Sequence, residues 1–374
     1  MTSSTTRRAW RGAVTTVALA MIAMALWHLR GATEGLAIET VSIEGTPATI
    51  FRAASGPPGP VVVIAHGFAG SQQLMLPFAT TLARNGYVAV TFDFPGHGRN
   101  PSPLIGNVLR EDGATRTLVE ATTRVADHVR GSGDGRLALL GHSMASNVIV
   151  RVAQARPDVA ATIAVSMFSP AVTRENPRNL LVIAGGWEGA LRREALRAVG
   201  LASAPEEARE GETYGDVAAG TARRAVASEG VEHVGVLYAR ASLDEALAWL
   251  DATFARPAHD PRWLDARGPW ILTLLAGIVA LAWPASGLLP VVSPLPLGAG
   301  LGWRRLWPAL LIPAIATPLV LRVLPTQALT NPVLPVLVAD YLVTHFALYG
   351  GLTAACLWWL RQRDKPVPAP RGPV

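Results

Sequence analysis

The sequence predicts a mostly parallel β-sheet flanked by α-helices, in a chain that also carries about four transmembrane α-helices. Between residues 37 and 267, short apolar runs alternate with amphipathic stretches, which is typical of helices built around a parallel sheet. At both ends of the chain, apolar segments approach or exceed the roughly 20 residues needed to cross a bilayer. We therefore expect one α/β domain between membrane segments.

The composition agrees with a membrane protein and excludes some classes of partner and site. Hydrophobic residues make up 50% of the 374 residues and charged residues only 16%. The net charge of +6 comes from scattered arginines, several of them beside apolar segments, where basic residues set membrane topology. We therefore expect no nucleic-acid partner. The single cysteine, Cys356, provides neither a disulfide framework nor a cysteine metal cluster.

The amino-terminal segment, residues 1–30, is predicted to anchor the chain in a membrane. It begins with basic residues and continues as an apolar run: Arg7, Arg8, Arg11 and then Ala13 to Trp27. A cleaved signal peptide is the alternative, but the exit ALWHLRGA offers a poor small-residue cleavage site, which favours an uncleaved anchor. Either interpretation places the domain that follows, residues 31–267, outside the cytoplasm.

The predicted domain contains strands of two kinds. The first two alternate apolar and polar residues, AIETVSIEG and PATIFRAA. The others are continuous apolar runs expected to be buried on both faces: PVVVIAHG, YVAVTFDF, RLALLGHS, VAATIAVSM and NLLVIAGG, with ARRAVASEG as a candidate last strand. Helices are predicted between them: SQQLMLPFATTLARNG, Arg110 to Val129, the stretch after Ser143, and SLDEALAWLDATF.

Residues 268–361 are predicted to form three further membrane spans: Trp270–Val292, Leu306–Leu324 and Leu334–Leu360. A proline-rich tail, 362–374, follows. Basic residues lie in one loop and after the last span: Arg304, Arg305, Arg361, Arg363 and Lys365. With the amino terminus inside, both groups are cytoplasmic, as basic loops usually are. Arg262 and Arg267 depart from this rule, because they would lie outside.

The stretch LALLGHSMASNVIVRVAQA is the candidate chemical centre, because an apolar run meets a tight turn at Ser143 and continues as a helix. Gly141 lies two residues before the serine and Ala145 two after it, one methyl group away from the GxSxG nucleophile turn. A serine hydroxyl is a poor nucleophile until a base removes its proton, and that base needs an acid to orient it. Candidates for both follow in the chain: Glu188 lies just beyond the strand NLLVIAGG, and His233 precedes the final predicted helix.

With those residues in order, the chain resembles the alpha/beta-hydrolase superfamily, of the serine esterase and dienelactone-hydrolase-like kind, over about residues 37–254. The resemblance implies an alpha/beta-hydrolase fold with Ser143 of GHSMA as nucleophile and His233 of GVEHVG as base. Glu188 of AGGWEG stands where the family usually has an aspartate. Asp216 and Glu232 are alternative carboxylates, although Glu232 would point away from its neighbour His233 in an extended segment.

The same resemblance assigns HGFAG to the loop that binds a developing oxyanion. It implies that the backbone N–H groups of Phe68 and Met144 are the two donors, since preorganised donors stabilise that charge by several kcal/mol. Three other polar residues are expected to shape turns: His66, Asp93 and His97. His142, beside the nucleophile, cannot reach round to act as its base.

The function expected is a membrane-anchored serine hydrolase that cleaves a carboxylic ester, including lipid esters and thioesters, through an acyl-serine intermediate. Its partners are a small-molecule or lipid ester and the bilayer; no metal or organic cofactor is implied and no oligomeric state is predicted. The excursion from Trp187 to Gly220 is a candidate partial cover of the site. The alternative function is a non-catalytic hydrolase-like domain that binds a ligand for a transport or envelope-assembly protein.

Overall fold

The computed structural model describes residues 4–104, 111–204, 207–257, 261–290, 302–323 and 339–363. These residues divide into two compact units, Met1–Leu288 and Leu289–Val374. The first unit contains a nine-stranded sheet in the order β1-β2-β4-β3-β5-β6-β7-β9-β8. Its strands are β1 Leu36–Ile43, β2 Thr46–Ala53, β3 Val61–Ala65, β4 Val88–Phe92, β5 Leu137–His142, β6 Val159–Val165, β7 Leu180–Gly185, β8 Thr213–Tyr214 and β9 Arg223–Ser228.

The strands from β4 to β9 across the sheet are parallel, and the pattern of each strand explains its position. Every residue of β3, β4, β5 and β7 is buried, as expected for continuous apolar runs covered on both faces. β1 and β2 form an antiparallel hairpin at one edge. Its two-residue turn, Glu44 and Gly45, has positive φ at both positions, which suits the twist of a hairpin.

Helices cover both faces of the sheet. The helices of this unit are α1 Ser4–Gly31, α2 Leu76–Arg84, α3 Arg116–Val129, α4 Met144–Ala155, α5 Gly189–Ser203, α6 Arg240–Thr253 and α7 Arg267–Ala285. α2 and α6 pack their apolar sides on one face, together with Ile64, Leu140 and Ile183 of the strands. α4 and α5 pack on the other face. The predicted alpha/beta-hydrolase fold class, with a mostly parallel sheet between helices, is confirmed.

Two segments differ from their sequence-based descriptions. The helix expected from Arg110 begins at Arg116, and residues 105–110 lie outside the described residues. The excursion from Trp187 to Gly220 contains α5 and the two-residue strand β8. α5 buries Ala195, Ala198 and Val199 against the sheet, so this part of the excursion is a layer of the fold.

Within the described residues, four helices are long and apolar enough to cross a membrane: Thr6–Gly31, Arg267–Leu288, Leu306–Val323 and Asp340–Gln362. They coincide with the four predicted spans, whose residues 291–292, 324 and 334–338 lie outside the described residues. In the first unit, α1 and α7 pack as an antiparallel pair. The His28 ring stacks on Trp270 at 3.7 Å between centroids, and Gly277 leaves room for Ile22 and the Ala18 carbonyl.

The second unit contains α8, Trp303–Val323, and α9, Ala339–Arg363, which contact each other. Pro308, Pro313 and Pro318 lie inside α8. Of the predicted proline-rich tail, residues 364–374 lie outside the described residues.

Candidate active site

Ser143 lies at the turn between β5 and α4, in a backbone conformation that residues other than glycine rarely adopt. Its φ is 54° and its ψ is −117°. Such strain persists only where the surroundings enforce it, and it clusters at functional sites. Here the Ser143 N–H donates to the Val165 carbonyl of β6 at 2.9 Å, and its own carbonyl accepts from Ser146 N at 2.8 Å. The turn thereby holds the serine side chain at the carboxyl end of β5.

The small residues beside Ser143 make this turn possible, but in unequal ways. A Cβ at Gly141 would lie 2.9 Å from the Ala145 carbonyl oxygen and 3.1 Å from Ile149 Cδ1, so only glycine lets α4 fold back over β5. Ala145 is fully buried, and the fold accommodates its methyl group. The tight glycine requirement therefore lies before the serine.

His233 lies within hydrogen-bond distance of the serine. Its Nε2 is 2.9 Å from Ser143 Oγ, although the two residues are 90 positions apart in the chain. His233 lies in the loop between β9 and α6. Both carboxylate oxygens of Glu232 accept backbone N–H groups in this loop, from Val234 and Gly235, each at 2.7 Å. Glu232 therefore shapes the loop.

Glu188 is the carboxylate that contacts His233. Its Oε1 is 2.5 Å from His233 Nδ1, and its Oε2 accepts from Ser166 Oγ at 2.6 Å and Gly185 N at 2.7 Å. The other candidate, Asp216, accepts from Ala219 N in a separate turn. The structure thus brings together Ser143, His233 and Glu188.

The pKa values of these two groups shift in directions that suit a charged acceptor and a basic imidazole. Burial by itself would raise the pKa of Glu188, but the hydrogen bonds from His233, Ser166 and Gly185 outweigh it and lower that pKa below its usual value. The hydrogen bond to Glu188 is the largest cause that raises the pKa of His233, and it outweighs desolvation. With Nδ1–H donating to Glu188, His233 Nε2 can accept the proton of Ser143.

His142 is a supporting residue that the sequence did not predict as part of the site. Its Nε2–H donates to the His233 backbone carbonyl at 2.9 Å, and the two rings lie 4.8 Å apart. Burial lowers the pKa of His142 to about 4, so the ring is neutral at physiological pH. His142 therefore fixes the loop of His233 against the turn of Ser143.

Ser166 is the second residue of the site that the sequence did not predict. It follows β6, has a positive φ of 52° and donates to Glu188. A serine after a buried strand carries no pattern that distinguishes this role. The one available signal is position, because parallel strands end at the same edge of the sheet.

The loop HGFAG lies against the serine. A Cβ on Gly67 would come within 3.1 Å of Ser143 Cβ and 2.9 Å of His142 Nδ1, so a glycine is needed for this approach. His66 holds the loop: its Nδ1–H donates to the Gly67 carbonyl at 2.8 Å, and its Nε2 accepts from Phe94 N at 3.1 Å. Phe68 follows Gly67 directly.

The second predicted donor to an oxyanion is the N–H of Met144. Met144 is the first residue of α4, so its N–H has no partner within the helix and lies at the positive end of the helix dipole. The predicted turn-shaping role of Asp93 agrees with its contacts, because it accepts from Gln72 N at 2.8 Å and Arg99 N at 3.1 Å. Among the described residues, no group of three His, Cys, Asp or Glu side chains is placed to hold a metal ion.

The site lies where the order of the sheet reverses. The chain goes from β3 to its neighbour β4 on one side, and then crosses to β5 on the other side of β3. Loops at the carboxyl ends of β3 and β5 diverge at this point, and open α/β sheets bind ligands in the crevice that results. Gly67 follows β3 and Ser143 follows β5, so the two meet at this crevice.

Residues 56–201 match the family model described as serine aminopeptidase, S33, a range that includes Ser143 and Glu188. No curated protein matches the chain. Among solved structures it is similar to TT1662 from Thermus thermophilus, at 18% identity over 59% of this chain and 99% of that one, with a TM-score of 0.43.

Two further solved structures are similar. A predicted CIB-like hydrolase from Thermoplasma acidophilum is 18% identical over 56% of this chain and 97% of its own, with a TM-score of 0.42. A bacterial membrane phospholipase A is 16% identical over 63% and 92%, with a TM-score of 0.39. The domain around Ser143 thus has the strand order of an alpha/beta-hydrolase fold and is similar over residues 56–201 to a hydrolase family, in a chain whose described residues include four helices apolar enough to cross a membrane.

Proposed function

We propose that this hydrolase cleaves a carboxylic ester through an acyl-serine intermediate. The observation that carries the proposal is the continuous hydrogen-bonded chain from Ser143 Oγ through His233 to Glu188, with distances of 2.9 and 2.5 Å. A nucleophile, a base and an orienting acid in this order are the parts that acyl transfer needs.

In the proposed reaction, Ser143 Oγ attacks the ester carbonyl while His233 Nε2 takes its proton. The carbonyl oxygen becomes an oxyanion, which accepts from the N–H groups of Phe68 and Met144. Collapse of this intermediate breaks the bond to the alkoxy oxygen, and His233 returns the proton to the departing alcohol. A water molecule then attacks the acyl-serine with His233 again as base, which releases the acid and frees Ser143.

The proposed substrates are small-molecule and lipid esters, with thioesters as a related class, since attack on each forms the same acyl-serine. We also propose that the chain is an integral membrane protein of the cell membrane, with the hydrolase domain outside the cytoplasm. Two features support this: the basic residues in the first turns of α1, ahead of its apolar run, and the even number of predicted spans, which returns the chain to the cytoplasmic side.

The test is a comparison of the full chain in detergent with its Ser143→Ala variant. A fluorophosphonate probe should label the wild type at Ser143, and the variant should lose both labelling and ester turnover. Ser55→Ala is the matched control, because Ser55 is an exposed serine after β2, at the opposite edge of the sheet, and should change neither reading. Ester turnover that persists in Ser143→Ala would refute the mechanism.

The alternative, a hydrolase-like domain that only binds, makes the opposite prediction in cells. A Ser143→Ala chain would then complement loss of the wild-type protein. Under the proposed function, it fails to do so while the protein is present at normal abundance.

A further inference from the structure

Large apolar side chains are exposed around the candidate site to a degree seen almost nowhere else in the domain. Among the described residues from Leu36 to Asp265, five such side chains are exposed, and four of them adjoin the site. We call these four the apolar rim: Phe68 at 46% exposed, Phe168 at 64%, Trp187 at 72% and Val234 at 44%. The fifth, Ile38, lies on the edge strand β1.

The backbone places each rim residue beside a residue of the site. Trp187 directly precedes Glu188, and Val234 directly follows His233. The Phe168 N–H donates to Ser146 Oγ at 3.3 Å, one turn into the helix that follows Ser143. Phe68 follows Gly67, which lies against the serine. The four come from the carboxyl ends of four different strands, so the fold itself gathers them around Ser143.

This arrangement indicates a binding surface. Soluble domains rarely expose adjacent large apolar side chains unless another apolar group covers them, because their contact with water is unfavourable. The rim residues are not part of the buried core clusters of the domain. Two kinds of apolar group could cover them: part of a substrate, or the bilayer that holds α1 and α7.

The helices α1 and α7, which the proposed function places in the bilayer, meet the opposite edge of the domain. α2 ends and β4 begins at the edge where the parallel strands start, and the residues there bind both membrane helices. The Arg84 guanidinium donates to the Glu34 carbonyl, just after α1, at 2.5 Å. The Asn85 side chain donates to the Trp263 carbonyl at 2.7 Å and accepts from its N–H at 3.3 Å, just before α7.

The length of the strands separates this edge from the rim. From Leu137 to Ser143 the chain rises by about 20 Å, at about 3.3 Å per residue. The tryptophans that mark the membrane interface, Trp27 and Trp270, lie at the ends of α1 and α7 beside the strand-start edge. The rim therefore lies on the side of the domain away from this bilayer.

We propose that the apolar rim binds the apolar group of an ester that reaches Ser143 from the aqueous side, and that lipids of the anchoring bilayer are not substrates. This inference rests on the proposed function and specifies its substrate class. Esters with a medium or long acyl chain, or with an aromatic group, fit the rim, since Phe and Trp faces offer large apolar contact with little loss of side-chain freedom.

The first experiment compares p-nitrophenyl acetate with p-nitrophenyl octanoate, using the full chain in lipid nanodiscs. The wild type should prefer octanoate in kcat/KM. Trp187→Ala and Phe168→Ala should each lower the octanoate-to-acetate ratio about tenfold, the effect of losing one aromatic contact in the bound state. Ile38→Ala is the matched control, because it removes the one exposed large apolar side chain among the described residues of the domain that lies far from the site, and the ratio should stay unchanged.

Separate outcomes test the rim and the proposed function. Equal ratios in wild type, Trp187→Ala and Phe168→Ala, with turnover intact, would refute the rim and leave the proposed function standing. A wild type without turnover on either ester would refute the function. In that case the rim is tested by binding alone, with octanoate and proteins that carry Ser143→Ala. Adding Trp187→Ala should weaken the affinity for octanoate, and adding Ile38→Ala should leave it unchanged.

The second experiment tests the side from which the substrate comes. Phospholipid in the same nanodisc should yield no fatty acid above the Ser143→Ala background, while added soluble octanoate ester is hydrolysed. Release of fatty acid from the surrounding bilayer at a rate comparable with that of the soluble ester would overturn this part of the inference.

Discussion

At the scale of single residues, Glu188 controls, under the proposed mechanism, the protonation state in which His233 can act as a base. A base must be neutral to accept the serine proton, so turnover is lost as the pH falls through the pKa of His233. The hydrogen bond that His233 donates to Glu188 raises that pKa, and the acid limb of the pH profile is therefore expected at a higher pH than for an isolated histidine. In the proposed mechanism, the same carboxylate also stabilises the imidazolium that forms when His233 takes the serine proton.

Glu188→Gln should change both the position and the height of the pH profile. Without the carboxylate, the pKa of His233 falls, so the acid limb of kcat/KM moves to lower pH. The maximum should drop on the order of 10⁴-fold, because the imidazolium and the correct tautomer are no longer stabilised. The measurement is kcat/KM for a soluble ester across pH.

Glu232→Gln is the control for this change. Glu232 also raises the pKa of His233, but only as the smallest of its causes, and its contacts are to the Val234 and Gly235 backbone. The acid limb of the Glu232→Gln profile should move less than that of Glu188→Gln. The maximum kcat/KM of Glu232→Gln should stay within a few-fold of wild type. Equal profiles for Glu188→Gln and wild type would contradict the role proposed for Glu188.

The sequence predicted the residues whose role follows from chain order, and missed those whose role follows from packing. Ser143, His233 and Glu188 each follow a recognisable strand, so the order of the strands was sufficient to propose them. Asp216 remained open because distance from His233 cannot be read from sequence. Ser166 and His142 act through contacts across the sheet edge, which no local pattern encodes.

At the scale of elements, the start of α7 is joined to α2 by a buried ionic network. Asp265 is fully buried, and its carboxylate accepts from Arg267 Nη2 at 2.6 Å and Thr80 Oγ1 at 2.5 Å. The Asp265 N–H donates to Thr81 Oγ1 at 3.1 Å. These bonds tie the first residue of a membrane helix to a core helix of the hydrolase domain, which makes the junction rigid.

Asp265→Ala should destabilise the domain by about 3 to 5 kcal/mol, because it leaves the largely buried Arg267 without its partner. Asp244→Ala is the matched control. Asp244 pairs with Arg262 at 3.0 Å, but that pair is partly exposed, and its loss should cost about 1 kcal/mol or less. Thermal unfolding of the full chain in detergent, followed by near-UV circular dichroism, gives both values; equal losses would contradict a structural role for the Asp265 network.

The elements that sequence patterns predicted best are those with a strong apolar signal. β3, β4, β5 and β7 were evident because every residue in them is buried. α5 was not evident from the sequence. Its buried positions are mainly the small residues Ala195 and Ala198, which lie among arginines and give only a weak apolar stripe. β8 has two residues and exists through its pairing with β9 alone.

At the scale of the whole molecule, the two arginines that depart from the charge rule for membrane topology both form ion pairs. Arg262 pairs with Asp244 and lies 3.8 Å from Asp251, and Arg267 pairs with Asp265. These pairs give both arginines a structural role at the flank of α7.

The predicted topology can be tested with single cysteines in a Cys356→Ala background. Glu212→Cys lies at an exposed position of the domain and should react with a membrane-impermeant maleimide in intact cells. Arg7→Cys, exposed at the start of α1, is the matched control and should react only after permeabilisation. The reverse pattern would place the hydrolase domain in the cytoplasm.

The chain enters the hydrolase domain at Leu36 and leaves it at Asp265, and both points lie beside the end of α2. A domain whose ends adjoin can interrupt a loop without separating the elements that the loop connects. The hydrolase domain thus occupies the place of one loop in a helical hairpin made of α1 and α7. As a consequence, another domain with the same spacing between its ends could replace this one. The packing of α1 against α7 would then be kept.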